Sequence, residues 1–126
     1  MYSSVETAVI LGIESIHVKC EADVSDGLPV FDMVGFLSTE VRESRERVRT
    51  ALRNSGFTLP AKRITINISP ASLRKQGTAF DLPIACAILG ASHILEEEIL
   101  SSVLMVGELS LEGEVLPVKG ILPIAL

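Results

Sequence analysis

The chain has no tryptophan, one tyrosine and four phenylalanines, so aromatic residues make up 4% of its 126 positions. A protein so poor in rings has little on which to stack nucleic-acid bases. Two histidines and two cysteines form no cluster with zinc-ligand spacing. Cys20 and Cys86 both lie among apolar neighbours and read as buried free thiols; a disulfide would need oxidising surroundings to which nothing in the sequence points. No apolar run is long enough to span a bilayer, because polar residues or glycines interrupt every candidate. No basic segment precedes an apolar run at the N-terminus, so there is no sign of a secretory signal and the cytoplasm is the expected location. No Gly-x-x-x-x-Gly-Lys-Ser/Thr loop is present, which removes the usual phosphate cradle of an ATPase. No repeat or low-complexity stretch interrupts the chain.

What is present is a large aliphatic fraction. Hydrophobic residues make up 48%, so a single domain over residues 1–126 can bury a core built from Ile, Val, Leu and Ala. The net charge of −5 hides an asymmetry: from Arg42 to Lys75 lie nine of the eleven basic residues and only two acids. That segment carries +7 and the remainder −12, a polarity that favours an anionic partner or an acidic protein surface on one side.

The pattern is organised around Gly77-Thr78-Ala79-Phe80-Asp81-Leu82-Pro83-Ile84-Ala85. A small-residue turn leads into a run, Leu82 through Ala91, that is apolar on every side. A helix with no polar face must be buried all round. Thr78 and Asp81 have the spacing of a capping box, and Pro83 suits the first turn, so Asp81 is expected to act structurally at the helix start. His93 is expected to end this helix, where a cation suits the dipole.

Around it the chain alternates. Val5 to Leu11 reads as a strand, with Gly12 a turn. Glu14 to Val24 puts Ile16, Val18, Cys20, Ala22 and Val24 on one face and Ser15, His17, Lys19, Glu21 and Asp23 on the other. His17 is expected to be solvated. Val30 to Val34 and Lys62 to Ser69 complete a half-buried set, the last with Ile64, Ile66 and Ile68 inward. Ser38 or Thr39 is expected to cap one continuous helix running to about Asn54, with Gly56 just past its end. On that helix Arg42, Arg49 and Arg53 fall within about 40° of one another, with Arg45 beside them. Such a stripe repels itself and reads either as an anion or partner contact or as a solvated face. Glu43 and Arg47 read as an ordinary i,i+4 pair. Arg74 and Lys75 bring two more bases into the loop before Gly77, a candidate anion site or a solubilising loop. Val103 to Glu108 and Glu114 to Val118 read as a hairpin around Leu109–Gly113, with Glu108 holding its turn. Gly120 to Leu126 looks like a first helical turn, and a chain stopping there reads as a piece of a longer protein. The order strand, strand, strand, helix, strand, helix, strand, strand, helix predicts an α+β fold with helices packed on a mixed sheet.

Several stretches together carry a resemblance: Gly27-Leu28-Pro29, Val41 through Arg49, Asn54-Ser55-Gly56-Phe57, Lys62-Arg63-Ile64-Thr65, Phe80 through Ala85, and Val106 through Gly120, which includes Gly107-Glu108-Leu109-Ser110 and Gly113. The chain resembles the proteolytic domain of Lon proteases and, more closely, the N-terminal domain of the ComM/YifB group of bacterial Mg-chelatase-like AAA+ ATPases. Nearly the whole chain takes part. The resemblance implies a ribosomal protein S5 domain 2-like (Lon protease C-terminal-domain-like) fold. It also implies a neighbouring AAA+ module using ATP and Mg2+, a homo-oligomeric (hexameric) ring, and action on DNA such as branch migration during natural transformation.

Lon-like peptidases need a serine made nucleophilic by a lysine. By the family's motifs the serine position falls on Ala79 and the lysine position on Leu122, so both functional groups are missing. The resemblance thus implies a non-catalytic scaffold, with Arg42, Arg45, Arg49, Arg53, Arg74 and Lys75 as candidate phosphate or partner contacts. Gly77, Thr78, Asp81, Pro83, Gly107, Glu108, Gly113 and Gly120 are its structural motif positions. Two alternatives stand beside it: a divergent peptidase using Thr78 and Lys119, and a purely structural assembly domain.

Overall fold

The computed structural model describes residues 1–11, 13–57 and 62–116. The expected turn at Gly12, Lys119, Gly120, Leu122 and the helical turn to Leu126 lie outside them, as does the end of the strand expected to reach Val118. The architecture is α+β. Strands β1 (Tyr2–Leu11), β2 (Glu14–Ser25), β3 (Val30–Val34) and β4 (Arg63–Ser69) form one mixed sheet in the order β1-β2-β4-β3. The pairs β1–β2 and β2–β4 are antiparallel, and β3–β4 is parallel. A parallel neighbour requires a crossover. Here it is made by α1 (Thr39–Arg42) and α2 (Ser44–Asn54).

The alternation expected from the sequence sets the faces. Val18, Cys20, Ala22 and Val24 of β2, Ile64, Ile66 and Ile68 of β4, and Phe31 and Met33 of β3 all point into the core. The opposite face stays polar, as a one-sided sheet allows. His17 lies there as expected, against the Glu6 carboxylate, and Glu21 accepts from Asn67 Nδ2 at 3.1 Å and from the Tyr2 hydroxyl at 2.6 Å.

Helix α3 (Asp81–Ala91) lies on the inner face. Pro83, Ile84, Ala85, Ala87, Ile88, Leu89 and Ala91 are all buried, so the helix without a polar side is central. It packs on β1, β2 and α2. It packs tightly at Gly90, where a Cβ would run into Ser3 and Leu100.

Helix ends follow local chemistry. Ser38 Oγ accepts from Val41 N–H at 3.3 Å and is the cap of α1. Gly56, at φ +91°, ends α2: Phe57 N–H reaches the Leu52 carbonyl at 2.9 Å and Gly56 N–H the Arg53 carbonyl at 3.1 Å, the paired closing bonds of a left-handed C-terminus. Helix α3 stops earlier than expected. Ser92 is its cap, and His93 (φ +62°) takes the left-handed position that glycine takes after α2. Ile94 N–H closes onto the Leu89 carbonyl at 2.9 Å.

Beyond it, α4 (Glu97–Ser101) packs against β1. The strand expected over Val103–Glu108 is not continuous. Leu104 makes a single parallel bridge to Glu6, and the ladder resumes only as β5 (Glu108–Leu109) paired with β6 (Val115–Leu116). The interruption has a cause: Gly107 is diverted to the start of α3, giving its N–H to the Ala79 carbonyl at 2.9 Å and accepting from Leu82 N–H at 3.0 Å. The tip of the β5–β6 hairpin rests on α2. Asn54 Nδ2 donates to the Leu111 carbonyl at 2.7 Å, and Gly113 (φ +96°) packs so tightly that a Cβ would meet Ser55 Oγ.

Candidate functional site: a buried ion pair and an arginine edge

The start of α3 carries the one acid that the core encloses among the described residues. Asp81 is fully buried, and a buried carboxylate survives only when paired and hydrogen-bonded. Its partners come from two other elements. Arg47 Nε donates to Oδ2 at 2.7 Å and Arg47 Nη2 to Oδ1 at 3.1 Å, a forked pair. Ser44 Oγ donates to Oδ1 at 2.5 Å, and Leu109 N–H to Oδ2 at 3.0 Å. Four donors fill one carboxylate and tie α2, α3 and β5 together. The Asp81 carboxylate, by its hydrogen bond above all, raises the Arg47 pKa against the opposing effect of burial.

This arrangement corrects two expectations. Asp81 and Thr78 do not form a capping box. The residue before α3 is Phe80, no side chain caps the helix, and the Asp81 carboxylate is spent on α2 and β5. Nor does Arg47 pair with Glu43 among the described ion pairs. It turns to Asp81, and its Nη2 also donates to the Glu40 carbonyl at 3.3 Å. That carbonyl belongs to the turn where the expected single helix breaks at Glu43 into α1 and α2. A clue to Arg47 lay in the sequence. Asp81 heads a helix with no polar face, so its charge demands a cation, and Arg47 is the one arginine of the crossover helix set off the stripe.

The basic candidates separate into three groups. Lys75 leaves the contact set, because it is fully buried and its ammonium donates to the carbonyls of Gly35, at 2.5 Å, and Pro70. Its pKa is lowered by burial. Arg45 and Arg49 stay exposed but have local work at the edge strand. Arg45 Nη1 donates to the Phe31 carbonyl at 3.1 Å, and the Arg49 guanidinium sits 5.7 Å from the Phe31 ring centroid, a cation–π contact. Arg42, Arg53 and Arg74 are exposed, with no side-chain partner among the described residues. The Arg45–Arg49 part of the stripe therefore lies at the β3 edge of the sheet.

The remaining motif positions are structural in placement. Gly77 takes φ +86°, and Pro83 is buried in the first turn of α3. Thr78 and Ala79 lie half-buried in the turn before α3, with the Ala79 carbonyl held by Gly107. Among the described residues the Glu108 carboxylate makes no hydrogen bond to the hairpin turn. Ser110 closes that turn, accepting at its Oγ from Glu114 N–H at 3.0 Å and donating its own N–H to the Glu114 carbonyl at 2.9 Å. Cys20 is buried and Cys86 partly so, and both are free thiols. No group of three or more metal-binding side chains converges, and no helix is long and apolar enough to cross a membrane, among the described residues.

The likeness to known proteins runs over nearly the whole chain. The family profile described as subunit ChlI of Mg-chelatase matches residues 20–126, and the chain belongs to that family. Among individual proteins, it is 47% identical over 116 residues to the uncharacterized protein YifB of Salmonella typhimurium, covering 92% of this chain and 23% of that protein. It is 47% identical over 118 residues to YifB of Escherichia coli, covering 94% and 23%. To the competence protein ComM of Haemophilus influenzae it is 44% identical over 113 residues, covering 90% and 22%. The chain spans about a quarter of the length of these curated relatives.

Proposed function

We propose that this chain is a non-catalytic, Lon-protease-like domain, with the ribosomal protein S5 domain 2-like fold, of a bacterial Mg-chelatase-like AAA+ ATPase. It supports assembly of the ATPase ring and contact with DNA. ATP and Mg2+ act in the ATPase module, outside these residues, and the setting is cytoplasmic. The observation that carries the reading is where the motif's polar groups go. Ser44, Arg47, Asp81 and the Leu109 N–H are spent on one another inside the protein, which is how a scaffold uses them. At the position that the Lon-like resemblance assigns to the nucleophile stands Ala79, which has no group to activate. The competence name of the ComM relative favours DNA as the partner of the whole protein.

For DNA the exposed Arg42, Arg53 and Arg74, with Arg45 and Arg49 beside them, supply the phosphate contacts. Phosphate neutralisation dominates such binding and makes it fall steeply with salt. The test is fluorescence anisotropy with labelled single-stranded, duplex and branched DNA across a salt series, using the chain and a variant with Arg42, Arg53 and Arg74 changed to Ala. Binding that weakens with salt and loses about three phosphates' worth of slope in the variant supports the reading. Absence of binding at low salt removes the DNA contact from this domain.

A further inference from the structure

A cleft of about 370 Å³ opens where the start of β1, the end of α3 and the start of α4 meet. That volume falls at the lower end of the range for small-ligand sites, about 300–1,000 Å³. Its lining is polar. Glu96, Glu97 and Glu98 contribute to it, with His93 and Tyr2, and no lysine or arginine lines it among the described residues. The Tyr2 pKa is raised, first by its hydrogen bond to Glu21, then by burial and, to a lesser degree, by the charges of Glu21 and Glu97. The negative charge of Glu97 is therefore felt at the Tyr2 hydroxyl.

A row of exposed glutamates is ordinary on a protein surface. Ser3 sets this one apart. It lines the same cleft, is only 3% exposed, and its Oγ has no hydrogen-bond partner. Buried polar side chains nearly always have one. The Oγ occupies the space that a side chain at position 90 would fill, since a Cβ on Gly90 would collide with it. Gly90 lines the cleft as well, so α3 yields the room that keeps this hydroxyl at the cleft.

An acidic cleft with an unpaired hydroxyl oxygen suits a cation that carries N–H donors. A bare metal ion suits it less. Among the described residues no group of three or more metal-binding side chains converges, whereas hard divalent cations take about six oxygen ligands or more. An ammonium group brings several donors at once, and its methylene stem has the Tyr2 ring and Leu95 to lie against. We propose that the cleft binds an aliphatic polyamine, its ammonium groups held by Glu96, Glu97 and Glu98 and one N–H given to Ser3 Oγ.

The probe is spermidine, titrated calorimetrically into the chain at low ionic strength. One spermidine per chain is expected to bind, and magnesium chloride at the same ionic strength is expected to show no one-to-one binding. Changing Glu96, Glu97 and Glu98 together to Gln should weaken spermidine binding at least about tenfold. A control with Glu14, Glu43 and Glu112 changed to Gln removes the same charge from exposed sites outside the cleft. It should stay within about twofold of the parent, since distant exposed charges are screened. Ser3→Ala should weaken binding at least about fivefold, because the ligand loses an acceptor. It should leave the urea midpoint unchanged or raised, because the hydroxyl has no partner to lose in the free protein. Circular dichroism checks that every variant folds. Absence of one-to-one binding, Ser3→Ala binding like the parent, a control that loses as much affinity as the cleft variant, or magnesium binding with the same stoichiometry and glutamate dependence overturns the proposal.

Discussion

Removing one partner from the Asp81 node should cost far more than losing a helix cap, and a double-mutant cycle shows which is being lost. Asp81 has 0% side-chain exposure, so its charge cannot turn to bulk water when Arg47 is removed, while Arg47, 22% exposed, loses its forked partner when Asp81 is removed. Breaking such a pair costs about 3–5 kcal/mol, because the survivor stays buried and uncompensated. Asp81→Ala also strands the Ser44 hydroxyl and the Leu109 N–H, which places it at the upper end. Arg47→Ala leaves the carboxylate with two neutral donors and belongs nearer about 3 kcal/mol. The double variant has no orphaned charge. It should cost well under the sum, with a coupling of about 2–3 kcal/mol between the sites. Were Asp81 only a cap and Arg47 only a surface cation, the singles would cost about 1 kcal/mol and under about 0.5 kcal/mol, with no coupling. Urea unfolding followed by far-ultraviolet circular dichroism reads the difference. With a slope of about 2 kcal/mol per molar, Asp81→Ala should move the midpoint down by about 2 M. A shift below about 0.5 M, or additive singles, refutes the reasoning.

Lys75 and the thiols give two further tests. Lys75→Met should destabilise the chain by about 1–3 kcal/mol, because the carbonyls of Gly35 and Pro70 lose their donor; the same urea titration measures it. Burial lowers the Lys75 pKa, so between its folded value and the ordinary lysine value the unfolded chain holds the extra proton. The Lys75 contribution therefore rises with pH in that window, and the variant should lose the rise. The thiols should resist modification near pH 8. Burial raises the Cys86 pKa to about 11 and pushes that of Cys20 higher still. Ellman's reagent should label Cys86 slowly, faster as pH climbs toward that value, and Cys20 only on unfolding. Rapid labelling of Cys20 in the folded protein would place it at the surface.

Features of the fold that repeat within a few residues were legible in the sequence. The period-two runs of β2 and β4, the helix apolar on all sides and the glycine after α2 each announce themselves locally. What was hidden depends on partners far along the chain. Arg47 and Asp81 lie 34 residues apart, and the position of Arg47 off the stripe marks it as different without saying which acid it meets. Lys75 escaped for a related reason: its partners are main-chain carbonyls, which have no letter in a sequence. The arginine stripe was visible as a stripe, but its attachment to Phe31 required knowing that α2 crosses beside β3. At the break the Glu40 carbonyl accepts from Arg47 Nη2, a side-chain contact that no helix propensity encodes.

The node also bears on how the protein folds and how long it stays folded. Its donors lie 28 to 37 residues from Asp81 in the chain, so it cannot close until the crossover helix, the central helix and the hairpin are already in place. Contacts completed after the barrier influence unfolding more than folding. The Asp81 carboxylate should therefore act as a latch on the native state: cutting it would leave the folding rate nearly unchanged and make the folded chain open sooner.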